Sequence, residues 1–331
     1  MADLKTKYMG LELRSPIIAG SCGLTSDVEK MVEMEKAGVG AVVLKSIFEE
    51  QINEETSGVF KAGYGMGDAY PEAEDYIKAY IRSNTIQKYV ELVRNAKSRL
   101  TIPVIASVNC FSGGEWVSFA RQLEEAGADA LELNVFILPV NEFKESAEVE
   151  NVYFEIVKSI KSQIKIPVSV KISHYFTNLS AFVDKIKAYG ANATTLFNRF
   201  YEPDININTL EMGAASVFST AAELRTTLRW TGILAGKDKR LEISASTGVH
   251  GGEAAVKLLL AGATTVQVCS VLYEKGIHVI EDINNFIGKW MDSKAFKTIE
   301  DYRGMLSYSS IENPDLYERA QFMKYFSNKQ I

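Results

Sequence analysis

The chain repeats one short pattern of polar and apolar positions. An amphipathic helix ends at a glycine, a small residue follows, and a short, continuously apolar run comes next. Glycine readily adopts the left-handed conformation that ends a helix, and a continuous apolar run suits a strand buried on both faces. The repetition therefore predicts helices that alternate with the strands of a parallel sheet. It is clearest in four segments, Glu35–Leu44, Glu124–Leu133, Lys187–Phe197 and Leu259–Val268.

Counting all such units predicts eight strands and eight helices. The strands are Pro16–Ala19, Ala41–Leu44, Val104–Ser107, Ala130–Leu133, Val168–Lys171, Ala193–Phe197, Leu241–Ser244 and Thr265–Val268. The helices are Ser26–Lys36, Asn84–Arg99, Glu115–Glu125, Val149–Gln163, Ser180–Tyr189, Ala221–Leu234, Gly252–Leu260 and His278–Met291. Eight units favour a closed α/β barrel of the TIM (β/α)₈ type. An open sheet of the Rossmann type is the alternative, but no G-x-G-x-x-G motif follows any of these strands.

Three predicted connections are long enough to carry function: Ile47–Ser83, Val135–Glu148 and Asn198–Thr220. All three follow the carboxyl ends of strands, so they would lie over the C-terminal face, where barrel enzymes hold their active sites. We predict one domain over residues 1–331, with the barrel at 12–291 and a helical tail at 292–331. The sequence indicates no role for the tail.

The composition argues against several classes of binding partner and against a membrane span. The net charge is −6 and no run of lysine and arginine occurs, so nucleic acid is not an expected partner. The three cysteines form no C-x-x-C pair, which argues against a metal site and favours reduced thiols. No apolar run reaches the ~18 residues that a membrane span needs, and the N-terminus is polar, so we expect a cytoplasmic protein.

Polar side chains are concentrated directly after the predicted strands. Lys45 and Lys171 each follow an apolar strand core, where a cation needs an anion or a polar ligand beside it. Asn109, Asn134 and Asn198 follow three other strands. Each of them alone could be an ordinary strand-end residue that reaches solvent. Together, they predict a polar ring around a small molecule.

The segment Ile243–Gly252, with the sequence ISASTGVHGG, has the composition of an anion-binding loop. Small residues let backbone N–H groups approach a phosphate, and the N-terminus of the following helix favours negative charge. Barrel enzymes often bind phosphate between the loops after strands 7 and 8, so Cys269 and Ser270 would complete such a site.

These motifs resemble, in their order along the chain, those of the dihydroorotate dehydrogenase superfamily of FMN-binding barrels. The resemblance covers roughly Leu4 to Trp290, and its motifs are SPIIAGS, LKS, LELN, VKIS, FNR, STGV and VQVCS. It implies FMN as the cofactor. It also implies oxidation of a ring C–C bond, in which the flavin accepts a hydride while a base removes a proton from the neighbouring carbon.

The resemblance also implies roles for single residues. Lys45 would contact the flavin, and Lys171 would lie near its N1 region and stabilise the negative charge that reduction adds. The implied cofactor-binding residues are Ala19, Gly20, Lys45, Ser46, Asn109, Asn134, Lys171, Ser246, Thr247, Gly248, Cys269 and Ser270. The implied substrate-binding residues are Lys45, Gly65, Met66, Gly67, Asn134 and Asn198.

Two loops depart from the family pattern. Soluble members carry N-L-S-C-P-N after strand 4, with the cysteine as base, whereas this chain has Asn134–Asn141 with Ile137 near that position. The family loop N-S-M-G-L-P-N is replaced by Gly63–Ala69. We therefore list Tyr64, Cys110 and His174 as substitute bases; His174 has a pKa near neutrality in its ordinary state. The alternatives are a histidine that only packs beside the site and a cysteine that packs as a small apolar residue.

The leading functional hypothesis is an FMN-dependent oxidoreductase that acts on a CH–CH group, with dihydroorotate oxidation to orotate in pyrimidine biosynthesis as the first candidate. The missing cysteine leaves two alternatives open: a flavin enzyme for a different small ring or enoate-like substrate, and a catalytically inactive FMN-binding protein. We expect no metal site. The resemblance suggests a homodimer, and the sequence does not identify an electron-transfer partner.

Overall fold

A computed structural model describes residues 2–48, 71–109 and 113–319 of the chain. Its centre is a barrel of parallel strands in which each strand pairs with the next along the chain and the last pairs with the first. We label the barrel strands β1 (Ile17–Ala19), β2 (Ala41–Val43), β3 (Val104–Asn109), β4 (Ala130–Asn134), β5 (Val168–Ile172), β6 (Ala193–Leu196), β7 (Glu242–Ala245) and β8 (Thr265–Val268). The closed ring confirms the predicted TIM (β/α)₈ barrel.

In the described part of the chain, the strands are surrounded by eight helices: α1 (Val28–Lys36), α2 (Pro71–Arg99), α3 (Gly113–Glu125), α4 (Ser146–Lys161), α5 (Leu179–Ala188), α6 (Leu224–Lys237), α7 (Gly252–Ala261) and α8 (Val279–Ser293). A short helix, Ser270–Lys275, lies between β8 and α8. Each predicted helix is present. Helix α2 begins well before the predicted Asn84, and a two-residue strand, Ile47–Phe48, extends the sheet after β2.

The predicted loop Asn198–Thr220 contains an antiparallel hairpin, Pro203–Asn206 with Glu211–Ala214, whose residues are all exposed. A second hairpin, Thr6–Tyr8 with Leu11–Leu13, lies at the other end of the barrel. Its Tyr8 and Leu13 pack inside the ring with apolar residues of the strands. The N-terminal hairpin therefore closes the bottom of the barrel, and the polar strand ends lie at the top.

The prediction of a helical C-terminal tail is wrong for the part of the tail that the structure describes. Residues 294–319 consist mainly of turns, with a 3₁₀ turn at Ile299–Asp301 and a four-residue helix at Asp315–Glu318. Gly304 has a φ of +73°, a left-handed conformation that a continuous helix does not contain. The tail packs instead on the outer helices, where the Tyr302 and Trp290 rings lie 4.9 Å apart.

None of the helices in the described ranges combines the length and the apolar character that a membrane crossing requires.

Candidate functional site

A polar cavity of about 200 Å³ opens among the carboxyl ends of the barrel strands. It lies between the ends of β5 and β6 and the loops that follow β1, β7 and β8. Eight of the residues that the sequence proposed for cofactor or substrate binding line it: Gly20, Lys171, Asn198, Ser246, Thr247, Gly248, Cys269 and Ser270. The structure thus brings together residues that are far apart in the chain.

The loops after β7 and β8 form one wall of this cavity. Gly248 has a φ of +79°, and a Cβ atom on it would lie 2.2 Å from the backbone nitrogen of Leu224. This turn is therefore restricted to glycine both by its conformation and by the start of α6 behind it. Backbone in so tight a turn can approach a ligand closely, as an anion site before α7 would need.

Hydroxyl groups supplement the backbone at the same wall. The Ser270 Oγ accepts a hydrogen bond from the Ser219 backbone N–H at 2.9 Å and lies 3.1 Å from the Ser219 Oγ. The His250 Nε2 lies 3.3 Å from that Oγ, and its Nδ1 lies 3.1 Å from a Glu274 carboxylate oxygen. Ser219 and His250 were not proposed from the sequence, since Ser219 belongs to a long loop without a motif.

Lys171 is a buried cation on the wall of the cavity. Only 8% of the residue is exposed, and its Nζ lies 3.7 Å from a carboxylate oxygen of Glu132, itself 1% exposed. The other carboxylate oxygen of Glu132 accepts hydrogen bonds from Thr195 at 2.9 Å and Gln267 at 2.8 Å. Sequence reasoning missed Glu132, although a charge inside the apolar strand Ala130–Asn134 was a visible signal.

Amide side chains close the site near the ends of β4 and β6. The Asn198 Nδ2 donates a hydrogen bond of 2.5 Å to the Asn134 Oδ1. Two buried amide oxygens, Gln267 Oε1 and Asn109 Oδ1, have no hydrogen-bond partner among the described residues. A buried acceptor without a partner is costly, and Gln267 lines the polar cavity, so a ligand there can supply the donor that its amide oxygen lacks.

These features fit FMN. A buried cation, unpaired amide acceptors and a glycine turn before a helix suit a ligand that carries ring N–H donors at one end and a phosphate at the other.

Ser46 is held under the loops by a chain of hydroxyl groups. Its Oγ lies 3.0 Å from the Ser21 Oγ and 2.7 Å from the Ser107 Oγ. The Tyr89 hydroxyl in turn accepts a hydrogen bond of 2.9 Å from the Ser107 N–H. Ala19 is fully buried, whereas Lys45 is exposed, unlike the buried Lys171.

A second cavity, of about 380 Å³, adjoins the first and shares Phe197, Asn198, Arg199 and Thr247 with it. His174 lies in its wall. Burial lowers the pKa of His174 below its ordinary value, so the imidazole is neutral at pH 7 and has a lone pair that can accept a proton.

Aromatic rings give this second cavity an apolar side. The Tyr175 and Phe200 rings are 4.5 Å apart, and the Phe136 and Phe200 rings are 4.2 Å apart. The Ile137 backbone N–H donates a hydrogen bond to the Tyr153 hydroxyl at 3.2 Å, and its side chain packs against the core. The position near which the family carries its cysteine is therefore apolar and fixed.

The remaining proposed residues of the catalytic and substrate sets lie outside the described residues. They are Tyr64, Gly65, Met66, Gly67 and Cys110. Their roles stay predictions.

The two described cysteines contact each other beside the polar cavity. Cys22 follows β1 and Cys269 follows β8, and both are free thiols. A hydrogen bond with Cys269 lowers the pKa of Cys22 to about 6. The cysteine-rich metal sites that the composition argued against would need more ligands than this pair, and no group of three or more candidate ligands occurs among the described residues.

Comparison with known proteins identifies the family of this chain. The model of the dihydroorotate dehydrogenase family matches residues 3–291. The dihydroorotate dehydrogenase B (NAD(+)), catalytic subunit, of Thermoplasma acidophilum is 30% identical, with 92% of this chain and 99% of that protein covered. The putative dihydroorotate dehydrogenase A (fumarate) of Aeropyrum pernix is 27% identical, with 91% and 97% covered. The catalytic subunit of the B enzyme of Pyrococcus furiosus is 26% identical, with 92% and 98% covered. The chain belongs to the dihydroorotate dehydrogenase family.

Proposed function

We propose that this protein is an FMN-dependent oxidoreductase that oxidises the ring CH–CH group of dihydroorotate to give orotate, as in pyrimidine biosynthesis. The observation that carries the proposal is the buried Lys171, which lies on one cavity wall with the Gly248 turn and Ser270. A buried cation and an anion-binding turn in one cavity match the two parts of FMN that need them: the ring region that gains negative charge on reduction, and the phosphate.

In this proposal, each residue of the site has a separate role. FMN, when bound, accepts the hydride from the substrate carbon. Lys171 holds positive charge where negative charge develops on reduction, and the Asn134–Asn198 amide pair orients the substrate. His174 takes the proton, because it is neutral at pH 7 and its cavity shares Phe197 and Asn198 with the polar cavity.

The first experiment compares FMN with riboflavin, which lacks the phosphate. The flavin-free protein is titrated with each ligand, and quenching of flavin fluorescence reports binding. The proposal expects FMN to bind at least a hundredfold more tightly, since only FMN presents an anion to the turn at Gly248. Equal affinities, or no binding of either ligand, would contradict the proposal.

The aromatic side of the second cavity favours one alternative: a flavin enzyme for a different small ring or enoate-like compound. Tyr175 and Phe200 line this cavity, and the Phe136 ring packs against Phe200, so the face of an apolar ring would find aromatic partners there. A screen of candidate donors and acceptors under anaerobic conditions separates the two functions. Flavin reduction by another ring, together with no reduction by dihydroorotate, would favour the alternative. A protein that binds FMN and reacts with no candidate would be the inactive FMN-binding protein.

We propose a cytoplasmic enzyme that passes its electrons to a separate protein, a suggestion supported by the relatives named as catalytic subunits. A homodimer stays a prediction. Sedimentation of the protein, alone and with a candidate partner, tests both suggestions.

A further inference from the structure

We infer that Glu132 is a positioning residue that tunes the flavin site through Lys171: its carboxylate fixes the ammonium group at the cavity wall and offsets the positive charge there. The inference rests on the proposed function, because it assigns Lys171 to the flavin. It concerns a residue inside the barrel wall that does not itself line the cavity.

The two oxygens of Glu132 have different surroundings. The Oε2 atom accepts two hydrogen bonds, from the Thr195 hydroxyl at 2.9 Å and from the Gln267 amide at 2.8 Å. The Oε1 atom accepts none from the described residues and lies 3.7 Å from the Lys171 Nζ. One oxygen thus anchors the carboxylate to β6 and β8, while the other is left free to act on the ammonium group by charge alone.

The hydrogen bonds that hold Glu132 continue along the barrel axis toward the bottom of the barrel. The Thr195 hydroxyl lies 3.0 Å from the Ser169 Oγ, which accepts a hydrogen bond of 3.1 Å from the Tyr8 hydroxyl. Tyr8 belongs to the hairpin that closes the barrel bottom. Each member of this chain is less than a tenth exposed, so the carboxylate cannot turn away without breaking buried hydrogen bonds.

The opposite charges of Glu132 and Lys171 can affect how readily the bound flavin gives up its electrons. At the distance between Glu132 and Lys171, a buried carboxylate strongly compensates an ammonium group because little water screens them. The wall that faces the flavin is therefore close to neutral before reduction. A cavity with an uncompensated cation would bind the reduced, more negative flavin more tightly and would resist giving its electrons away. Glu132 thus keeps the flavin able to pass electrons on.

The test measures the midpoint potential of FMN bound to the full-length protein, by equilibration with a redox dye. Glu132→Gln removes the charge and keeps the size of the side chain. We expect the ratio of reduced to oxidised FMN at a fixed potential to rise about tenfold, an upward shift of about 30 mV for a two-electron couple. Glu132→Asp retains the charge one methylene further from Lys171, so its potential should lie between those of Glu132→Gln and the wild type.

Glu242→Gln is the matched control. Glu242 also lies on a barrel strand and is partly buried, but its carboxylate accepts a hydrogen bond from the Met9 N–H at the barrel bottom. The potential of this variant should equal that of the wild type. A purely structural role for Glu132 would lower the thermal stability without raising the potential.

The outcomes separate this inference from the proposed function. A wild-type protein that holds no FMN contradicts the proposed function. A loaded wild type whose potential is unchanged or lowered in Glu132→Gln contradicts only the present inference. If that variant does not fold, Glu132→Asp decides alone: a raised potential supports the role of the carboxylate, and a potential at or below the wild-type value overturns it.

Discussion

At the scale of single residues, the proposed chemistry is divided between two side chains in adjoining cavities. Lys171 is a buried cation whose charge is matched by Glu132, and His174 is a half-buried imidazole that burial keeps neutral. In the proposed chemistry, Lys171 therefore stabilises the developing charge and His174 accepts the proton. Neither group belongs to the loop after β4, where Ile137 stands near the position of the family's cysteine and cannot accept a proton.

Lys171→Met should slow flavin reduction by about 10²–10³-fold, the usual loss when one preorganised electrostatic group is removed. The variant should also lose roughly 3–5 kcal/mol of unfolding free energy, because Glu132 is left buried without its cation. Stopped-flow absorbance gives the rate and denaturant titration gives the stability. Lys185→Met is the control: its side chain is 58% exposed, and both quantities should stay near the wild-type values. An unchanged rate in flavin-loaded Lys171→Met would remove Lys171 from the proposed mechanism.

The pH dependence of kcat/KM should carry the signature of His174. Burial disfavours the charged imidazolium and lowers the pKa, so the base stays neutral until the pH falls below about 6.5, the ordinary value for histidine. The value of kcat/KM should therefore be level near pH 7 and decline only at lower pH. His174→Gln should lose this decline together with about 10²–10⁴-fold in rate. His278→Gln, at an exposed position, serves as the control. A wild-type profile unchanged in His174→Gln would assign the proton to another group.

At the scale of elements, the strands were predictable and some features around them were not. Residues buried on both sides make continuous apolar runs, so all eight barrel strands were located from the sequence. The first turns of α2, from Pro71 to Ser83, were predicted as part of a loop, although Tyr76, Ile77, Tyr80 and Ile81 recur at helical spacing. The tail was predicted as helix because it is polar and rich in aromatic residues, but its Tyr302 packs on Trp290 of α8 from a turn.

Only some residues of the candidate site could be predicted, because only some of them stand out in the local sequence pattern. Residues at strand ends, such as Lys171 and Ser270, stand out because polar side chains there follow apolar runs. Glu132 and Gln267 lie inside strands, and their importance depends on which strands become neighbours across the barrel. The charge of Glu132 inside an apolar strand is visible in the sequence, but the partners that it meets across the barrel are not. Ser219 reaches the site from the long loop before α6, whose path the sequence does not specify.

The Gly248 turn gives a prediction at this scale. Gly248→Ala would place a Cβ atom against the backbone of Leu224 and force a left-handed conformation on alanine. We expect a loss of about 1–3 kcal/mol in stability and a much weaker affinity for FMN. Gly251→Ala is the control in the same loop, since its Cβ would meet nothing within 4 Å and its φ of 172° is extended. Fluorescence titration with FMN and thermal unfolding measure both effects. Equal FMN affinity in the two variants would show that the turn does not hold the cofactor.

At the scale of the whole molecule, the barrel has a closed end and an open end. The N-terminal hairpin fills the bottom, a buried polar chain from Tyr8 to Glu132 occupies the axis above it, and the two cavities lie at the top. The family match over residues 3–291 spans this whole arrangement. The proposed function therefore requires that the open end binds FMN and that a ring substrate reduces the bound FMN there.

The most direct measurement is the visible absorption spectrum of the purified protein, loaded with FMN, before and after dihydroorotate is added without oxygen. The proposed function predicts a flavin band that bleaches on addition, as electrons pass from the substrate to FMN. A protein that shows no flavin band after loading, or a band that dihydroorotate leaves unchanged, would contradict the proposed activity.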